Sequence, residues 1–225
     1  MKPLNILFSI LVISVSNFSY AGSKNKNELF YQDNIRRVAA SQKLTTEEQD
    51  SLIFMREEEK LARDVYLTLH EYFDTRVFEN IARAEQKHMN AVKRLLNKYE
   101  ITDPVVDDSI GLFTNPDFSD FYQKNTASEM TISEAIYVGI LIEEMDILDL
   151  QKSINLINHS DIKLVYENLL RGSRNHLRAF VRKLESMGIV YEALLLEQAT
   201  ANAIVNSPME RGSTNKKRRK GHRWN

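Results

Sequence analysis

The sequence predicts an all-α fold: an antiparallel four-helix bundle with one long crossover connection and short accessory helices. Three observations carry that prediction. Neither Gly nor Pro occurs from Ser23 to Asp103, so nothing punctuates two long helical stretches there. Capping-box spacings stand at Thr45/Glu48 and Thr131/Glu134, each ahead of an apolar stripe recurring every three or four residues. Pro104, Gly111 and Pro116 interrupt residues 100–130, and no alternating strand pattern competes.

The first 21 residues read as a secretory signal: Lys2, an apolar stretch from Leu4 to Val15 too short to span a bilayer, and small residues for cleavage after Ala21. The alternative is a membrane anchor. An exported, periplasmic or secreted protein is expected, with no integral membrane segment after cleavage. Residues 22–44 form an N-terminal segment in which 28–40 reads as a helix. The bundle occupies 45–188. Its first helix opens at Thr45 and buries Leu52, Met55, Ala62, Tyr66, Leu69 and Phe73. Asp74 or Thr75 is placed to cap the second, whose stripe is Phe78, Ile81, Val92, Leu95 and Tyr99. So short a turn makes the pair antiparallel. Asn115-Pro116 starts a short helix through Tyr122. The third long helix runs from Thr131 to about Asn158. The fourth follows with Val165, Leu169, Phe180 and Leu184 inward and Gly188 as its C-terminal cap. A C-terminal extension, 189–208, includes an outer helix over 189–205, and 209–225 is a basic tail.

The net charge of −1 conceals an uneven distribution. Lys2 and seven bases in 211–225 account for eight of the 30 Lys and Arg, so residues 22–210 hold 22 bases against 31 acids, a charge of −9. The tail is polar enough to stay solvated, and for an exported chain no nucleic-acid partner is expected. With no Cys, a disulfide framework, a thiolate metal site and a cysteine nucleophile are excluded. The sequence leaves homo-oligomerisation open.

Chemistry enters where polar residues interrupt the stripes. Glu59 sits between Met55 and Ala62. Glu85 and His88, three residues apart and therefore on one helix face, lie between Ile81 and Val92. Glu143 falls between Ile140 and Ile147, with Asp146 one turn on, and His176 lies between Leu169 and Phe180. Their levels agree. Glu59 is fifteen residues from Asp74 and Glu85/His88 eleven to fourteen; Glu143 is seventeen from Ser160 and His176 sixteen, at about 1.5 Å per residue. All six side chains can meet near mid-bundle. Burying unpaired carboxylates costs several kcal/mol each, and two divalent cations would balance four of them. Taken singly, each residue is as readily part of a solvated face, as the acidic neighbours Glu57 and Glu58 illustrate. His70, His159 and His222 fall at other levels and read as surface histidines.

Glu59-Lys-Leu-Ala62-Arg-Asp-Val-Tyr66 resembles the first ligand helix of ferritins, bacterioferritins and rubrerythrins, and Glu85-Gln-Lys-His88 their second-helix motif. Glu143-x-x-Asp146 is similar to the paired acids of rubrerythrins. More closely, Leu52 to Glu185, about 60% of the chain, resembles the ferritin-like family catalogued as domain of unknown function 2202, through EEEKLARDVY, IARAEQKHMNAV, LIEEMDILDL and NLLRGSRNHLRAF. The resemblance implies a diiron or dimanganese centre. Glu59, Glu85 and Glu143 would be oxygen ligands, His88 and His176 would each cap one ion, Asp146 would be a variable ligand, and Tyr66 a neighbouring donor or electron source. One departure leaves nuclearity open: Ser173 stands where the fourth helix of the superfamily carries Glu.

Gly139 and Gly172, each one turn before a ligand position, permit close approach or room for a small molecule, or are tolerated surface glycines. Three functions follow. The first is an exported redox protein that reduces oxygen or peroxide, or oxidises Fe(II), with a small oxidant as partner. The second binds metal without turnover. The third is a structural bundle in which Arg63, Arg174 or Arg178 neutralises the acids.

Overall fold

The computed structural model describes residues 43–212. The secretory segment, the expected helix at 28–40 and most of the basic tail lie outside the described residues. Six helices and no strand occur among the described residues: α1 (Thr46–Phe73), α2 (Arg76–Lys98), α3 (Pro116–Asn125), α4 (Ile132–Leu156), α5 (Ser160–Glu185) and α6 (Gln198–Val205). None is long and apolar enough to cross a membrane. α1 packs along α2 and α4 along α5, while α1–α4 and α2–α5 contacts close the four long helices into a bundle.

Local chemistry sets the helix ends. Both capping boxes form: Thr45 Oγ1 accepts from the Glu48 amide at 3.2 Å, and Thr131 Oγ1 from the Glu134 amide at 3.3 Å, each Glu returning the bond. Asn115 Oδ1 accepts from the Asp117 amide, starting α3. Neither Asp74 nor Thr75 caps α2 by its side chain. Asp74 instead turns left-handed (φ 43°) to end α1, and the Thr75 hydroxyl donates to the Phe73 carbonyl. At the end of α5, Gly188 (φ 77°) donates to the Glu185 carbonyl and Ile189 to that of Leu184, a Schellman closure that favours glycine.

Buried carboxylates anchor the irregular segments. Glu57 accepts from the Thr114 and Asn115 amides, tying the crossover to α1. Lys60 pairs with Asp64 and donates to the Ser109 carbonyl, Asp64 accepts from the Gly111 amide, and Arg56 forks onto Asp103. On α4, Glu144 accepts from the amides of Leu194, Leu195 and Leu196 and from the Tyr191 hydroxyl. That capture explains a difference from expectation. Amides 194–196 serve Glu144, so the outer helix is confined to 198–205 and residues 189–197 stay irregular. His159 is no ordinary surface histidine: its Nδ1 lies 2.9 Å from the buried Glu48 carboxylate at the α4–α5 turn.

The apolar core divides into two clusters. One contains Ala62, Tyr66, Ile81 and Phe180; the other contains Met55, Val92, Leu150 and Leu169. Along α1, α2 and α5 the polar residues identified above lie between these clusters, whereas on α4 Glu143 and Asp146 fall between Ile142 and Ile147 of the first cluster.

Burial alone would raise the Glu48 pKa, but bonds from His159, Thr45 and the Asn158 amide hold it at about 2, below its ordinary 4.5. This stabilisation is fully present above about pH 4.5 and is lost as pH falls toward 2. Glu48→Gln is expected to lower stability at pH 7 by about 1–3 kcal/mol and to flatten the acid limb of a stability–pH profile, measured by urea unfolding.

Candidate metal centre

The four long helices bring Glu59, Glu85, His88, Glu143 and His176 together. Glu59, Glu85 and Glu143 are at most 1% exposed, and the His88 and His176 side chains 16% and 12%. His88 Nδ1 lies 2.7 Å from Glu85 Oε2 and 3.2 Å from Glu59 Oε2. His176 Nδ1 lies 2.7 Å from Glu85 Oε1 and 3.5 Å from Glu143 Oε2. Glu85 therefore gives one oxygen to each imidazole. The donor atoms form two triads, Glu59/Glu85/His88 and Glu85/Glu143/His176, with all atoms of a triad within 4.8 Å of one another.

Hydrogen bonding alone leaves this arrangement unsatisfied. Glu59 Oε1, Glu85 Oε1, Glu143 Oε2 and His176 Nδ1 are buried without a hydrogen-bond partner, so the short His176–Glu85 approach lacks hydrogen-bond alignment. Converging carboxylate oxygens and imidazole nitrogens are a donor set that suits first-row divalent metals. Arginine does not take that role. Arg63 pairs with Asp64 and Asp108, while Arg174 and Arg178 pair with Glu210. No Lys or Arg among the described residues forms an ion pair with the Glu59, Glu85 or Glu143 carboxylates.

In the absence of a cation the site holds protons. Burial, opposed by His88, raises Glu59 to about 8. Burial would lower His176, yet Glu85 and Glu143 bring it to about 10, and Glu59 with Glu85 likewise holds His88 well above its ordinary value. Glu85, between two imidazoles, stays below the usual carboxylate range despite its burial. Metal binding displaces such protons, so affinity rises with pH.

The surrounding packing positions these side chains. The Tyr66 hydroxyl donates to Glu143 Oε1 at 2.7 Å, leaving Oε2 directed at His176. A Cβ on Gly172 would sit 2.5 Å from His88 Cε1, and one on Gly139 2.6 Å from Phe180 Cζ. Both glycines thus serve close approach by a side chain. Ser173 is buried, with its hydroxyl turned back to the Leu169 carbonyl, and supplies no carboxylate.

Asp146 is buried in the same layer but belongs to neither triad; both its oxygens lack a partner. Helical spacing does not mark Glu58, which is 2% exposed and has Asp149 beside it. Its only sequence signal is its place beside Glu59, because it turns inward through the α1–α4 contact rather than along the apolar stripe.

A family model described as an uncharacterized protein domain (DUF2202) matches residues 48–208, which include every residue of both triads. The chain belongs to the DUF2202 family. The uncharacterized protein MJ0754 of Methanocaldococcus jannaschii is 51% identical over 172 residues, which is 76% of this chain and 93% of that relative. The crystal structure of the hypothetical protein MJ0754 from Methanococcus jannaschii matches with a TM-score of 0.72 at 50% identity, covering 74% of this chain and 96% of that one. This DUF2202 chain is thus a helical bundle with buried Glu/His clusters able to hold metal ions.

Gly172→Ala forces His88 to move. It is expected to weaken metal binding about 10–100-fold, as displacement of a ligand's support does, with calorimetric titration as the check. An unchanged affinity would mean that His88 Nδ1 does not bind metal.

Proposed function

We propose that this protein is an exported, ferritin-like dinuclear iron or manganese protein that reduces oxygen or peroxide or oxidises Fe(II). The carrying observation is Glu85: its two oxygens face two separate imidazoles, each accompanied by one further carboxylate. Glu59, Glu85 and His88 would hold one ion, and Glu85, Glu143 and His176 the other. Three carboxylates offset three of the four charges of a divalent pair, leaving one for a further anion or for the neighbouring Asp146. A bound redox-active pair would supply electrons to a small oxidant. The chain's own contributions are more specific. Tyr66 holds Glu143 by one oxygen, Gly172 admits the His88 ring, and the surrounding core keeps the three carboxylates at most 1% exposed. Export rests on the N-terminal segment, whose apolar stretch is shorter than a membrane span.

A second reading, metal binding without turnover, is favoured by Ser173, which leaves the centre without a carboxylate from α5. Anaerobic titration of the mature protein with Fe(II), followed by oxygen or peroxide, separates the two. The redox reading expects two ions per chain, a near-ultraviolet charge-transfer band and oxidant consumption. His88→Ala is expected to lose at least one ion and to slow consumption more than tenfold. Uptake without oxidant consumption supports the second reading; no uptake of Fe(II) or Mn(II) eliminates both.

A further inference from the structure

The five side chains of the two triads are not held alike. His88 Nδ1 shares a hydrogen bond with Glu59 Oε2 at 3.2 Å and lies 2.7 Å from Glu85 Oε2. The Tyr66 hydroxyl fixes Glu143, and Gly172 backs the His88 ring. His176 differs. Its Nδ1 approaches Glu85 and Glu143 yet has no hydrogen-bond partner, and no hydrogen bond to its ring is present among the described residues. Its ring meets the His88 ring at 5.6 Å between centroids. Ser173, the buried neighbour on α5, bonds the Leu169 carbonyl and gives no second ligand. The place of the His176 ring is therefore set by α5 itself.

The outer face of α5 is gripped by the C-terminal extension. Arg174 and Arg178 stand two residues on either side of His176 and so face away from it. Arg178 is 1% exposed and spends its donors on this grip. Nε donates to the Ile204 carbonyl at 2.8 Å, Nη1 to Asn175 Oδ1 at 2.8 Å, and Nη2 to Ser207 Oγ at 2.5 Å and Glu210 Oε1 at 2.8 Å. Arg174 forks onto both oxygens of Glu210. Asn175 accepts from the Glu210 amide at 2.9 Å and donates to its carbonyl at 3.0 Å. Bonds from Arg174, then Arg178, hold the Glu210 pKa at about 2, so its charge persists at neutral pH. A planar guanidinium with bonds in several directions fixes both the height and the rotation of a helix, which a single bond does not.

We infer that the strap 204–210, through Glu210 and Arg178, positions His176 toward Glu85 and Glu143. Neither residue belongs to a triad; both act through α5. This role rests on the dinuclear reading, in which His176 is a ligand. Its consequence is an asymmetry between the two ions. The Glu59/Glu85/His88 position is supported by its own side-chain bonds, whereas the Glu85/Glu143/His176 position depends on the strap.

Imidazole nitrogen NMR of the full mature protein without metal, followed by Mn(II) titration with electron paramagnetic resonance, tests this on Glu210→Ala. The comparison variant is Glu57→Gln, which loosens the crossover instead. Glu210→Ala is expected to keep its helical content by circular dichroism and to shift or broaden the His176 resonances while leaving those of His88 in place. It is expected to bind one Mn(II) as wild type does and the second about 10–100-fold more weakly. Its spectrum at one equivalent becomes that of an isolated ion. Glu57→Gln is expected to lower stability yet change neither the His176 resonances nor either affinity. Should Glu210→Ala not fold, Glu210→Gln, which retains the Arg178 bonds to Ile204 and Ser207, is expected to show the same changes at smaller size. Unchanged His176 resonances in the Glu210 variant, equal weakening of both ions, or an equal His176 shift in Glu57→Gln overturns the positioning role. A wild type that binds no Mn(II) or Fe(II) overturns the dinuclear reading, while the metal-free spectra still decide whether the strap holds His176.

Discussion

Carboxylates carried into the middle of a helical bundle dominate the energetics of this protein. A buried carboxylate left unpaired costs several kcal/mol, and here Glu59, Glu85 and Glu143 share one layer with no Lys or Arg among the described residues paired to them. Two imidazoles are the nearest compensation. They serve only while protonated, and their approaches to Glu85 put both Nδ1 atoms where a metal ion would draw donors. Apolar side chains of both core clusters pack around these residues, with Ile142 and Ile147 of one cluster flanking Glu143 on α4.

Other buried acids show what satisfaction looks like in the same molecule. Glu48, Glu57 and Glu144 each collect backbone amides from an irregular segment, and each thereby fixes a connection: the α4–α5 turn, the crossover and the C-terminal extension. These ligands are protein amides, complete without any ion. Glu58, Asp146 and the centre-facing oxygens of the triads receive no such amides. The contrast separates carboxylates satisfied by the chain's own amides from those that could hold a cation.

Much of this was readable in the sequence, and the reasons differ by residue. Glu59, Glu85, His88, Glu143 and His176 stand out because each interrupts an apolar stripe at a matching level. The helix boundaries follow from capping boxes, Asn115-Pro116 and Gly188. Glu58 escaped because burial along an α1–α4 contact has no period of its own. The roles of Glu57, Glu144 and the Glu48–His159 pair depend on where irregular chain returns, which helical spacing does not encode. Gly139 and Gly172 leave two readings open in the sequence because the side chains packed against them, Phe180 and His88, come from other helices.

Anomalous diffraction from crystals of the protein equilibrated with Mn(II) or Fe(II) tests the central claim most directly. The account predicts two peaks about 3.5–4 Å apart, one beside each oxygen of Glu85, each within bonding distance of a histidine Nδ1. Absence of any peak at Glu85 in a crystal containing the metal would contradict it, as would a single ion bound without Glu85 and either histidine.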